Sequence, residues 1–313
     1  MDAAFKFSLP DFSLAFLSIL LEGLPFLLLG TILSGLIDQF LPARLMTRLL
    51  PRNPIAGALV SASLGMIFPM CECGVVPVIR RLMTKGLPVS NAVAYMLAAP
   101  IVNPIVAVST WWAFRGQDPL GTTLFRLGVG FGVAAIVGIA VSRLPIGGIL
   151  RTEVIADIAQ PAGLTGGMPS GGIGRRLWGA LNVCVGDFLS MAVYFVLGAM
   201  AAATFNTAVN QDFILPLAMN DWLATASLMG LAGVLSVCST TDAFIAATFS
   251  LFPTAAKLAF LVFGPMMDFK LIFIYSAVFR KRFILGLAVG LFILIGLICV
   301  RLQAVLEPVV KLP

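Results

Sequence analysis

The chain contains no histidine, and Asp, Glu, Lys and Arg together make up only 11% of its 313 residues. Without imidazole, histidine-ligated metal centres and histidine proton relays are excluded. No Gly-x-x-x-x-Gly-Lys-Ser/Thr stretch occurs, so the chain has no P-loop with which to power itself from a nucleotide, although an ATPase partner stays open. The first residues lack a basic segment and a small-residue cleavage motif, so the first apolar run reads as a retained helix and not a removed signal peptide. Cysteine is scarce as well. All five (Cys71, Cys73, Cys184, Cys238 and Cys299) lie in apolar segments, which argues against the disulfide framework of a small secreted domain.

What fills the space is hydrocarbon: 60% of the residues are hydrophobic, in runs that repeatedly reach the roughly 20 residues needed to cross a bilayer. Leu14 to Leu36 is one such run, and at about 1.5 Å per residue it reaches roughly 34 Å. The expected fold is an all-α polytopic membrane protein with about eight hydrophobic helical elements, set in the lipid bilayer. A net charge of +6 reads here as topological, with basic residues kept on the cytoplasmic side, and implies no nucleic-acid partner.

The segment Ala159 to Arg176 holds six glycines and two prolines and cannot form a stable spanning helix. It divides the chain into a first transmembrane repeat (1–150), a Gly-rich cytoplasmic linker (151–176) and a second repeat (177–313). When Cys71 is placed over Cys238, the series Pro88, Pro100, Asn103 matches Pro253, Pro265, Asp268 interval for interval, which indicates an internal repeat. Hairpin-like segments at 54–85 and 221–253 that enter and leave by one face give each half three crossings and invert the halves. Arg44, Arg48, Arg52, Arg80, Arg81, Lys85, Arg143, Arg151, Arg175, Arg176, Arg280, Lys281 and Arg282 then all fall inside. Lys6, Arg115, Arg126, Lys257, Arg301 and Lys311 fall outside, and the long loop 206–222 has no basic residue. Plain spans would put Arg80 and Arg81 opposite Arg44 and Arg48, so re-entrant or broken elements are preferred, and irregular backbone at that depth must line a cavity or be buried in protein.

Three stretches interrupt the apolar pattern. In Pro69-Met70-Cys71-Glu72-Cys73-Gly74 with Pro77, the prolines remove backbone donors and the glycine permits positive φ, so the chain should unwind. Two sulfurs there can converge on a soft atom. Glu72 is expensive in lipid, about 2.5–3.5 kcal/mol for comparable groups, and should face the interior or be protonated. Cys184 and Cys299 read as small hydrophobes. The stretch Ser236 to Ala247 adds Cys238 and Asp242, a proton-relay or ion-site candidate by default, while its hydroxyls are expected to bond back to their own turn. Asn103, flanked by Pro100 and Pro104, and Asp268, after Gly264-Pro265, mark two further broken helices. Lys270 is expected to pair with an acid or, near the end of a span, to snorkel. Glu22 and Asp187, one in the first helix of each half, are possible proton or gating sites. Gly128/Gly132 and Gly286/Gly290 read as close helix packing.

With Cys71-Glu72-Cys73-Gly74, Pro77, Pro100, Asn103-Pro104 and Cys238-Ser239-Thr240-Thr241-Asp242, the sequence resembles the bacterial predicted-permease family that includes YraQ and the organoarsenical efflux permease ArsP. The resemblance implies a multi-pass permease of the bacterial cytoplasmic (inner) membrane, not an enzyme, with no cofactor and no resident metal. Its partner would be a small-molecule or ionic substrate. By resemblance the cargo is a trivalent organoarsenical leaving the cytoplasm, with Cys71, Cys73 and Cys238 as thiol ligands; on the residues' own chemistry Asn103 is a further substrate-binding candidate, and Glu72, Asp242, Asp268, Glu22 and Asp187 are ion-coupling or gating candidates. A membrane thiol-disulfide relay and an uptake permease for a sulfur compound or metal are the alternatives.

Overall fold

The computed structural model describes residues 8–41, 53–68, 70–159, 173–208, 221–249 and 252–310. Arg44, Arg48, Arg52, Pro69, most of the glycine-rich linker and residues 209–220 lie outside them. The described residues form helices joined by turns, with one isolated bridge between Leu150 and Phe279. The protein is an all-α polytopic membrane protein; among the described residues five helices are long and apolar enough to cross a bilayer, with shorter apolar ones beside them.

The same series of elements appears twice. In the first half a long helix, α1 (Leu9–Phe40), precedes α2 (Pro54–Ile67) and α3 (Glu72–Thr84), then α4 (Val89–Ala98), α5 (Pro104–Ala113) and the long α6 (Pro119–Val141). After the short connecting helices α7 (Ile146–Ile149) and α8 (Thr152–Ala159) the order recurs. The long α9 (Ile173–Ala208) leads to α10 (Asp221–Leu235), α11 (Asp242–Thr248), α12 (Thr254–Met266), α13 (Phe269–Tyr275) and the long α14 (Lys281–Val310). Each half thus has four apolar segments, the middle two broken.

Close backbone approaches fix their directions. Gly35 lies against Ala180, and Gly23 meets the ring of Phe195, so α1 and α9 run antiparallel. On α2, Gly57 faces Asn91 while Gly65 faces Ala99, so α2 and α4 run parallel. Since α3 ends just before α4 begins, α2 and α3 enter and leave by the same end: the segment is a re-entrant hairpin. Lys85 at its exit donates to the Asp38 carbonyl at the end of α1, 2.6 Å away. In the second half α10 and α12 also pack together, with Gly264 against Ala232 and Gly233 near Phe263.

One end of the molecule gathers the basic residues. Arg80 pairs with Asp157 of α8 at 2.7 Å, and the Arg280 guanidinium donates to the Leu150 carbonyl at 2.9 Å. The backbone N–H of Arg151 donates to Val278 and that of Arg280 to Ile149, sealing the α7–α8 connection onto the start of α14. The bundle's centre is α12, whose residues are nearly all buried, whereas α1, α9 and α14 present Leu, Val and Ile outward.

Three expectations are corrected. Arg126 and Lys257, counted toward the outer face as topological charges, are instead buried within α6 and α12. Gly128, Gly132, Gly286 and Gly290 have open space where a Cβ would stand; the close approaches on α6 are made by Gly130 and Gly138. Gly74 and Pro77 do not extend the first break: α3 has already begun at Glu72, and Gly74 is there because the Phe26 carbonyl of α1 lies 2.8 Å from where its Cβ would be.

Candidate functional site

The first break, at 68–71, ends where Cys71 turns the chain into α3. Cys71 is extended, and its sulfur accepts the Gly74 N–H at 3.4 Å, occupying the N-cap position that Ser or Asp usually fills. Glu72 and Cys73 follow in the first turn, both buried. Pro77 has no N–H, so the Cys73 carbonyl receives no helical bond from that position. The second break, 236–241, opens with Ser236 at φ 50°, an uncommon left-handed conformation for a residue with a side chain. Its hydroxyl bonds back to Gly233, whereas Thr240 donates to the Cys238 sulfur at 3.7 Å.

The two breaks meet on α1. A narrow recess of about 10 Å³ is lined by Glu22 and Phe26 of α1, by Cys71 at the end of the first break with Glu72 and Cys73 in the turn that follows it, and by Cys238 and Lys270 of the second half. Thr241 ties the second break to α1, donating to Glu22 at 2.9 Å. Cys71 is half-buried, Cys73 and Cys238 buried, and all five cysteines are free thiols. Among the described residues no three His, Cys, Asp or Glu side chains are arranged to hold a metal ion.

Lys270 does not snorkel. It is buried, 3.1 Å from the Glu72 carboxylate, 3.1 Å from the Ser236 carbonyl and 3.6 Å from Asp268. In oil an ammonium finds no water, so it takes partners from both halves. One oxygen on each acid, Glu72 Oε2 and Asp268 Oδ2, is buried without a donor.

Asp242 also meets a base from the opposite half. Arg126 of α6 binds both its oxygens at 2.8 and 2.9 Å, and also Thr110 at 2.8 Å and the Ser239 carbonyl at 2.9 Å. Asn103 and Asp268 occupy matching positions as helix caps: Asn103 accepts from Ile105 N–H at 2.9 Å to start α5, and Asp268 from Leu271 N–H at 2.7 Å to start α13. Asn103 does not line the recess. Nor does Asp187, which accepts two bonds from Arg81 at 3.1 Å and one from Ser34 at 2.7 Å, joining α9, α3 and α1 near the basic end.

Of the candidates, then, Cys71, Cys73, Cys238, Glu72 and Glu22 come together; Asp268 adjoins them through Lys270; Asp242, Asn103 and Asp187 stand apart. Sequence reading missed Arg126 as a member of these clusters and left Lys270 open between pairing and snorkelling. The signal for both was a cation set in a strongly apolar stretch of chain.

A helical bundle with antiparallel long helices, broken hairpin segments and a buried polar centre is the architecture of a multi-pass membrane protein. The chain belongs to the ArsP_1 predicted-permease family, whose profile matches residues 8–303. It is 38% identical over 271 residues to the UPF0718 protein YcgR of Bacillus subtilis (strain 168), covering 86% of this chain and 89% of that one. It is 35% identical, over 86% of this chain and 87% of the other, to a Streptococcus mutans serotype c (strain ATCC 700610 / UA159) protein named "Putative two-component membrane permease complex subunit". No solved structure matches the chain.

Proposed function

We propose that this permease is a secondary transporter of the bacterial cytoplasmic membrane that exports a thiophilic small solute, such as a trivalent organoarsenical, by rocking two inverted halves around the thiol recess. The observation that carries the reading is the convergence of Cys71, Cys73 and Cys238, from two separate chain breaks, on one recess against α1. Soft electrophiles select thiols, and Phe26 in the same wall offers a surface for an organic substituent. A carrier must let go of its cargo, and one or two exchangeable sulfurs suit that better than a cage. The halves comprise residues 1–150 and 177–313, the basic end faces the cytoplasm, and Glu72 with Asp268 is the leading place for a coupling ion. The printed name of the Streptococcus relative raises the further proposal that a second membrane subunit accompanies this chain. A thiol-disulfide relay would use the same sulfurs but leaves the buried ion clusters without work.

The test is the Cys71→Ser/Cys73→Ser double variant, assayed for resistance of cells to a trivalent phenylarsenical and for uptake of that compound into inverted vesicles. Loss of both with normal membrane abundance is expected. Unchanged resistance and unchanged flux would rule out the thiol-ligand reading.

A further inference from the structure

A second cavity, of about 230 Å³, lies at the end of the molecule opposite Arg80 and Arg280. Both halves build it: Phe114, Gln117, Asp118 and Thr122 from the first, Thr254 and Lys257 from the second. Lys257 is only 6% exposed, and its ammonium donates to the Gln117 side chain at 2.9 Å. Gln117 in turn donates to the Ala247 carbonyl, near the end of α11, at 3.1 Å. The other end of α11 is Asp242. Its seven residues span about 10 Å, so one short helix connects this cavity to the Arg126–Asp242 pair. Along α6 the same step is a single turn, from Thr122 to Arg126.

From Arg126 the next contact leads inward. Its guanidinium holds the Ser239 carbonyl, and the neighbouring residue, Cys238, lines the thiol recess. Polar groups therefore run in sequence from the recess through the second break and the buried ion pair to the outer cavity, through a region otherwise packed with apolar side chains. The pair in the middle is formed across the two halves, so their relative motion must strain or part it. It is also incompletely satisfied, since Arg126 Nε is buried without a partner. A buried charge pair short of a hydrogen bond is a weaker seal than apolar packing of the same volume.

We propose that the outer cavity is the vestibule through which the solute leaves, and that the Arg126–Asp242 pair is the barrier closing it off from the thiol recess. This rests on the export reading above for its cargo: the vestibule would take the same small solute, with its hydroxyl or oxyanion side toward Lys257, Gln117 and Thr122 and its organic side toward Phe114. As barrier residues, Arg126 and Asp242 act on access and not on the affinity of the sulfurs.

The experiment reads access directly, without flux. In full-length protein in sealed vesicles, with Cys71 and Cys73 changed to Ser and Cys184 and Cys299 to Ala, Cys238 is the remaining thiol, and an impermeant maleimide is applied from either side. A Lys281→Cys variant marks the basic side. Cys238 is expected to be protected from the opposite side in this parent and to react there at least about tenfold faster once Asp242→Asn removes the charge pairing. Equal protection in the Asp242→Asn and Arg126→Gln variants, or ready labelling in the parent, would overturn the barrier. Because breaking a buried pair can unfold a protein, a second variant keeps the pair intact: Thr122→Cys should react from the side opposite Lys281→Cys only, and failure to do so removes the vestibule. If these labelling results hold while the Cys71→Ser/Cys73→Ser protein still transports, the thiol site falls and the route stands.

Discussion

Lys270 Nζ lies 3.1 Å from Glu72 Oε1 across a sequence separation of 198 residues, and 3.6 Å from Asp268 on its own strand of chain. One cation therefore holds the first break of one half against the second broken pair of the other. Replacing it by an apolar residue leaves two buried acids facing each other with no counter-charge. Lys270→Met should lower stability by about 3–5 kcal/mol, the usual loss when one partner of a buried pair is removed. The double change Lys270→Met/Glu72→Gln should recover part of it, because the stranded charge is gone. Thermal unfolding in lipid nanodiscs measures both; equal melting of Lys270→Met and wild type would mean that the cation is not what joins the halves.

Cys184 and Cys299 provide the internal contrast to the recess. Cys184 donates to Thr31 at 3.6 Å between α9 and α1, and Cys299 is buried on α14; neither lines the recess. Cys184→Ala and Cys299→Ala remove one sulfur each from packed surroundings, which costs about 1 kcal/mol of stability. Flux per folded molecule should stay within about twofold of wild type, equivalent to less than 0.5 kcal/mol in the rate-limiting barrier. Loss of flux in either variant would show that thiols outside the recess also handle cargo.

Much of this arrangement was legible in the chain before any fold was known, for physical reasons that are local. Apolar run lengths mark the spanning helices, and a proline or a cap residue inside such a run marks a break, so Cys71, Asn103, Cys238 and Asp268 all fall at or beside helix ends. Burial and pairing are not local. Arg126 and Lys257 count as outer-face charges by their place in the chain, and only the approach of α11 and α5 encloses Arg126. Gly74 shows the same limit from the other side. Its place after two cysteines suggests backbone freedom, yet its role is to let α1 come close.

Asp187 separates gating from scaffolding. Its carboxylate takes both forks of Arg81 and the Ser34 hydroxyl, so it binds three helices at one point near the basic end. Arg81 is a quarter exposed, and solvent weakens the pair relative to a dry one. Asp187→Ala should lower stability by about 1–3 kcal/mol and reduce membrane abundance, with flux per folded molecule retained. A variant of normal melting temperature and collapsed flux would instead assign Asp187 to the transport cycle.

The tightest constraint on the recess is the approach of α1 to α3. A Cβ on Gly30 would overlap the Gly74 carbonyl, and a Cβ on Gly74 would stand 2.8 Å from the Phe26 carbonyl. Backbone cannot give way as a side-chain tip can, so an added methyl must push the helices apart. The parting falls at Gly74, one residue beyond Cys73, and Phe26 and Glu22 on the facing helix line the same recess. Gly30→Ala should therefore cost about 1–3 kcal/mol from overpacking. It should also widen the recess, raising the rate at which an impermeant maleimide modifies the half-buried Cys71 while flux falls. Gly128→Ala is the control: open space surrounds it, and its helix gains propensity, so stability should hold or rise by up to about 1 kcal/mol. If Gly30→Ala and Gly128→Ala melt alike and label alike at Cys71, the contact between α1 and α3 does not set the shape of the recess.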